Sequence, residues 1–166
     1  VFRCLIPSGF RLTLKRFLGG TYHSIPNCII QHNDGRQIRV GPDSIYWGIY
    51  CGHDFEPGAS SVVRKLLSEG DVVVDIGANF GWYTTLFGTL IGDKGKVYAF
   101  EPVPKIFEQL SENIAINNLN ERCVTNRMAL GDEQKTVNLN VFHDLPASHS
   151  SISDLGRDGF ESFSAD

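Results

Sequence analysis

The stretch Val72-Val-Val-Asp-Ile-Gly-Ala-Asn-Phe-Gly-Trp-Tyr-Thr84 decides the fold of this chain. Its first part is a β-branched run without polar alternation, the pattern of a central parallel strand buried on both faces, expected over residues 71–75. Its second part sets Gly77 and Gly81 around Asn79, a turn in which glycine reaches backbone conformations closed to other residues. Tyr83, Leu86, Phe87 and Leu90 then mark one face of a helix that Gly92 ends. Strand, glycine turn and helix in that order open a βαβ unit.

The alternation continues in both directions. Upstream, after Pro57, Val62, Val63, Leu66 and Leu67 fall at helical spacing, with Gly70 placed to stop that helix. Downstream, Lys96–Phe100 predicts a second strand, ending in Glu101. Pro104 suits the first turn of another helix, where its missing N–H costs nothing, and Ile106, Phe107, Leu110 and Ile114 form the inward stripe. Asn117-Asn118 ends it. Residues 123–129 read as a third parallel strand, and residues 136–142, where Val137, Leu139 and Val141 alternate with polar neighbours, as a half-exposed strand. After Pro146 the pattern fades. Before residue 57 the pieces are short and β-like: Cys28–Gln31 and Gln37–Val40 flank Asn33-Asp34-Gly35, a hairpin signal because Asp-Gly tolerates positive φ. The expectation is an α/β doubly wound sheet with right-handed crossovers over residues 57–166, preceded over residues 1–56 by a lead-in and a small N-terminal β-ribbon acting as a cap.

Composition narrows the function. With 166 residues, 42% hydrophobic and 20% charged, the chain suits one ordinary globular domain and excludes disorder, collagen and coiled coil. No apolar run approaches the roughly 18 residues of a membrane helix. Fifteen basic against nineteen acidic side chains leave a net charge of -4, so no nucleic acid partner is expected. Cys4, Cys28, Cys51 and Cys123 have no CxxC spacing, which predicts reduced thiols and no metal site. Residues 2–18 carry Arg3, Arg11, Lys15 and Arg16 but lack the uninterrupted apolar stretch of a secretory signal, so a cytoplasmic location is expected.

Open α/β sheets bind ligands at the carboxyl ends of their strands, which places a cofactor at the turn over residues 75–81. Gly77 and Gly81 would clear side chains from the approach to the backbone, and the following helix start would offer N–H groups to a carboxylate or phosphate. Glu101 ends the second strand twenty residues after Gly81, the spacing at which an acid accepts the hydroxyls of a bound ribose. Gly77-x-x-x-Gly81 is not the G-x-G-x-x-G of a pyrophosphate cradle, so a nicotinamide oxidoreductase is the disfavoured reading. Asp75 could instead hold an ammonium group while the helix start holds its carboxylate. S-adenosylmethionine has both groups and a ribose.

These residues resemble the FkbM-type S-adenosylmethionine-dependent methyltransferases. Three blocks carry the resemblance in the right order: Val74-Asp-Ile-Gly-Ala-Asn-Phe-Gly-Trp-Tyr-Thr84; Phe100-Glu-Pro-Val-Pro104 with Asn113 and Asn117-Asn118 after it; and Ala129-Leu-Gly-Asp132. It covers roughly residues 37–153. It implies a Rossmann-like methyltransferase sheet, cofactor contacts at Asp75, Gly77, Asn79, Gly81, Tyr83 and Thr84, ribose contact at Glu101, and adenine contact near Met128 and Ala129. It further implies methyl transfer to a hydroxyl group of a small molecule or glycan. His53, Asp54, His143 and His149 are the side chains able to take the hydroxyl proton, supported only by their loop positions, and residues 148–153 could line an acceptor pocket. The catalytic base is not assigned. The family carries a further strand with an Asp-x-Glu-Gly-type block that does not occur before Asp166. The sheet thus reads as truncated after its first half, leaving the strand at Val72 as an open hydrophobic edge to be covered by another segment, a second copy or a partner. The alternative is a non-catalytic module that binds the cofactor or a partner protein.

Overall fold

Asp34-Gly35 makes the turn that its sequence predicts. Strands β1 (Cys28–Gln31) and β2 (Gln37–Val40) pair antiparallel from Cys28 opposite Val40 to Gln31 opposite Gln37, with Gly35 at φ 91°. The computed structural model describes residues 28–40, 47–50, 52–133, 136–142 and 160–165. Two units divide the chain, Val1–Leu66 and Leu67–Asp166.

In the first unit Ile30, Ile38 and Val40 are fully buried, each such side chain contributing about 1.5–3 kcal/mol by leaving water. Helix α1 (Trp47–Tyr50) is a single turn, and α2 (Pro57–Leu66) follows. Arg64 near the end of α2 pairs with Asp34 of the hairpin turn at 2.7 Å. The helix stops at Leu66 instead of reaching Gly70, because the Asp71 carboxylate accepts the Ser68 N–H at 2.8 Å and Gly70 sits at φ 91°.

The second unit contains the predicted βαβαβ run. It consists of β3 (Val72–Ile76), α3 (Trp82–Leu90), β4 (Lys96–Phe100), α4 (Pro104–Ile116) and β5 (Cys123–Asn126). The strands are parallel in the order β3-β4-β5. Val97, Ala99 and Cys123 form a core with Ile91, Leu110, Ile114 and Leu119, so the helical layer seals one sheet face. The opposite face is open: Val72, Val74 and Ile76 are 67%, 54% and 66% exposed, and Tyr98 and Val124 lie on the same side. The expectation of a strand buried on both faces is therefore corrected. Among the described residues β3 pairs only with β4, and alternate residues of one strand cannot all be covered by one layer.

Two further expectations change. The buried face of α3 is Trp82, Thr84, Thr85, Leu86 and Gly88, while Tyr83, Phe87 and Leu90 are half-buried. The threonines tolerate burial because their hydroxyls are bonded: Thr85 Oγ1 donates to the Gly81 carbonyl at 2.8 Å and Thr84 Oγ1 to Asp75 at 2.5 Å. Strand β6 (Val137–Phe142) pairs antiparallel with β7 (Phe160–Ala165) in a separate two-stranded sheet, a partner that the fading pattern after Pro146 did not indicate. Residues 127–129, expected in β5, lie beyond its end. Cys28 and Cys123 are buried, and burial pushes the Cys123 thiol up to about 11. Cys4 and Cys51 lie outside the described residues. No helix among these residues is long and apolar enough to cross a membrane.

Candidate functional site

Three parallel strands bring three loops to one edge of the sheet: residues 77–81 after β3, Glu101 to Val103 after β4, and residues 127–129 after β5. The loop after β3 turns sharply through left-handed conformations, with Gly77 at φ 74°, Asn79 at φ 50° and Gly81 at φ 88°. The two glycines serve different ends. A Cβ on Gly77 would meet nothing within 4 Å, so that position borders open space. A Cβ on Gly81 would lie 2.7 Å from Leu110 Cδ1, so glycine there is required by packing against α4. The space beside the backbone is thus open at Gly77 and filled by α4 at Gly81.

Every backbone N–H of this loop is already taken. Gly77 and Ala78 donate to the Phe100 carbonyl at 3.0 and 2.9 Å, and Gly81 donates to the Ala78 carbonyl at 2.9 Å. Asn79 donates to Glu101 Oε2 at 2.9 Å, and Phe80 to Asn79 Oδ1 at 2.7 Å. A phosphate cradle needs these donors aimed outward, and here they are not.

Two buried carboxylates border the loop. Asp75 is 8% exposed and accepts both the hydroxyl and the backbone N–H of Thr84. The chain's own acid thus serves one of the N–H groups of the α3 start that were expected to meet a ligand's carboxylate. Glu101, 5% exposed, accepts Asn79 N–H at Oε2 and Val103 N–H at Oε1, each at 2.9 Å. Burial raises both carboxyls above the ordinary range. The Thr84 bonds partly offset this for Asp75, while for Glu101 the two N–H bonds oppose it and the Asp75 charge adds to it. No described Lys, Arg or His forms a salt bridge with either acid.

Of the other expected contacts, Thr84 is buried beside Asp75, and Tyr83 is half-buried with its ring stacked on Phe87 at 5.8 Å between centroids. Met128 is exposed and Ala129 half-buried, beyond β5 at the same sheet edge. Asn113 received no role from sequence reasoning, yet it is fully buried and its Nδ2 donates to the Phe80 carbonyl at 2.7 Å. A polar residue inside the apolar stripe of α4 was the available signal.

The side chains considered as proton acceptors divide. His143, His149 and residues 148–153 lie outside the described residues. His53 and Asp54 line a shallow cavity of about 440 Å³ in the first unit with His32, Asp34 and Arg64. Asp54 pairs there with Arg64 at 3.3 Å and faces His32 Nε2 at 3.3 Å. Burial opposes ionisation of Asp34, but hydrogen bonds from His32, Arg36 and Arg64 outweigh it and hold the carboxyl well below its usual range. His32, Asp34 and Asp54 place three ligand-type atoms within 4.8 Å of one another, and the two guanidinium groups supply the positive charge at that point.

A parallel sheet with a glycine turn and two acids at its carboxyl edge defines a Rossmann-like fold. The Pyrococcus horikoshii protein PH0793 shares this fold, superposing with a TM-score of 0.51 at 19% identity, over 74% of this chain and 48% of its own. Residues 75–162 match the methyltransferase FkbM domain, and the chain belongs to that family. It is 41% identical over 59 residues to the hexuronic acid methyltransferase AglP of Haloferax volcanii, covering 34% of this chain and 23% of AglP. It is 28% identical over 114 residues to the methyltransferase sdnD of Sordaria araneosa, covering 69% of this chain and 41% of sdnD. The chain therefore spans well under half the length of these curated relatives.

Proposed function

We propose that this chain forms the cofactor-binding part of an S-adenosylmethionine-dependent O-methyltransferase acting on a hydroxyl of a sugar or other small molecule. The observation that carries the reading is the pairing of a loop whose N–H groups are all satisfied internally with two buried acids not salt-bridged to any described cation. Such a site repels phosphate and attracts a ligand with positive charge and hydroxyl groups. This argues against a dinucleotide. Bound S-adenosylmethionine would supply a sulfonium-activated methyl group for displacement by the acceptor oxygen.

In this reading Glu101, oriented by two backbone N–H groups, accepts from the ribose hydroxyls, and Asp75, oriented by Thr84, faces the cationic end. The open space at Gly77 admits the ligand close to the backbone, with Asn79, Gly81 and Tyr83 completing the wall and Met128 and Ala129 near the adenine. The family match and the similarity to a hexuronic acid methyltransferase support a sugar-type acceptor. The net charge of -4 disfavours nucleic acid. Residues of the chain position the reactants, and positioning alone can supply much of the rate of a displacement.

Calorimetric titration with S-adenosylhomocysteine tests the cofactor assignment without knowledge of the acceptor. Micromolar binding at a stoichiometry near one is expected, and a folded chain that does not bind refutes the assignment. A methyl-transfer screen offering hexuronic acids, neutral sugars and bulk RNA then tests the acceptor class. Methylation of RNA alone would overturn the sugar reading.

A further inference from the structure

Asn113 sits where the stripe of α4 calls for an apolar residue, at Ile106, Leu110, Asn113 and Ile114, all of them buried. Asparagine is a mediocre helix former, and a buried amide is costly unless it is hydrogen-bonded. Its bond is long-range: Nδ2 donates at 2.7 Å to the Phe80 carbonyl, thirty-three residues earlier in the chain. Phe80 lies between Asn79 and Gly81, both left-handed, and its own N–H is held by Asn79 Oδ1. The Phe80 residue is thereby pinned at its N–H from within the loop and at its carbonyl from α4. Asn79 is one of the few non-glycine residue types that enter the left-handed region, and its own Oδ1 on the Phe80 N–H supports that conformation.

We infer that Asn113 is a positioning residue for the cofactor site: its bond to the Phe80 carbonyl locks the loop in the form that holds the Asn79 N–H on Glu101. The inference rests on the cofactor reading given above. Without this donor the Phe80 carbonyl loses its bond to α4, and the left-handed peptides on either side lose that constraint. The Asn79 N–H then leaves Glu101 Oε2, and the carboxylate loses one of the two bonds that aim it. Leu110 beneath Gly81 fixes the loop's height over α4, and Asn113 fixes the direction of its peptides.

The test measures S-adenosylhomocysteine affinity by calorimetry for the wild-type chain, Asn113→Leu, which keeps the volume and removes the donor, and Ile114→Ala, a change at the neighbouring buried residue that leaves the Asn113 donor in place. Asn113→Leu is expected to weaken binding at least tenfold, while Ile114→Ala binds as the wild type does at a temperature where both are folded. In a Glu101→Gln background the Asn113→Leu loss should largely disappear, because the two residues act in series. Unchanged affinity in a folded Asn113→Leu chain, or losses that simply add with Glu101→Gln, overturns the inference and leaves the cofactor reading intact. Failure of the wild type to bind overturns the cofactor reading itself, and the inference with it. Should Asn113→Leu not fold, the wild type decides: on titration the Asn113 side-chain amide resonances must shift with the same midpoint as the Asn79 amide. Silence at Asn113 refutes the coupling.

Discussion

Replacing Glu101 by alanine removes a carboxylate with about four acceptor sites, two of which are occupied by the Asn79 and Val103 N–H groups. Two remain, the number that a ribose diol requires. Losing a buried acceptor of hydroxyl bonds costs about 1–3 kcal/mol, so Glu101→Ala should raise the dissociation constant for S-adenosylhomocysteine about 5- to 150-fold. Folding is affected less, by about 1–2 kcal/mol. Two backbone N–H groups lose a charged partner, and this is partly offset by relief of a buried acid already pushed toward its neutral form. The assay is a calorimetric titration at neutral pH beside a thermal melt of the same sample. A variant that melts cooperatively yet binds within about twofold of the wild type, well below the tenfold step of 1.4 kcal/mol, removes Glu101 from the ribose site.

Three more expectations follow from the same geometry. Gly77→Val places a branched side chain into the open space beside the loop at φ 74° and should abolish S-adenosylhomocysteine binding while the β1–β2 hairpin stays folded; retained binding means the turn faces elsewhere. Gly81→Ala should leave the ligand's space alone and lower stability by about 1–3 kcal/mol, since its Cβ meets Leu110 Cδ1 at 2.7 Å. Melts of Gly81→Ala with and without Leu110→Val check this, and equal losses in both exclude the clash. Asp75 and Glu101 are both raised, so the folded chain holds protons that the unfolded chain releases near pH about 4. Stability of the free chain should therefore fall as pH rises from there through the folded-state values, while affinity for S-adenosylhomocysteine rises over the same window. Melting temperatures and titrations across mildly acidic pH test the sign, and an affinity independent of pH refutes it.

Local chemistry was legible because it acts over a few residues. Asp34-Gly35 specifies its turn, Pro104 its helix start, and the strand, glycine turn and helix around Val72 to Thr84 need no distant partner to be recognised. The acids at Asp75 and Glu101 were readable from their place at strand ends. Four features were decided only by the tertiary structure. Which glycine faces space and which faces Leu110 depends on where α4 lies, and no local pattern reports that. Whether the loop N–H groups point outward or are consumed by Phe100, Glu101 and Asn79 depends on pairing across strands. The partner of β6 lies in a segment with little hydrophobic period, and Asn113 acts across thirty-three residues. Periodicity records which way a side chain faces relative to its own element. What it meets there is set by elements far away in the chain.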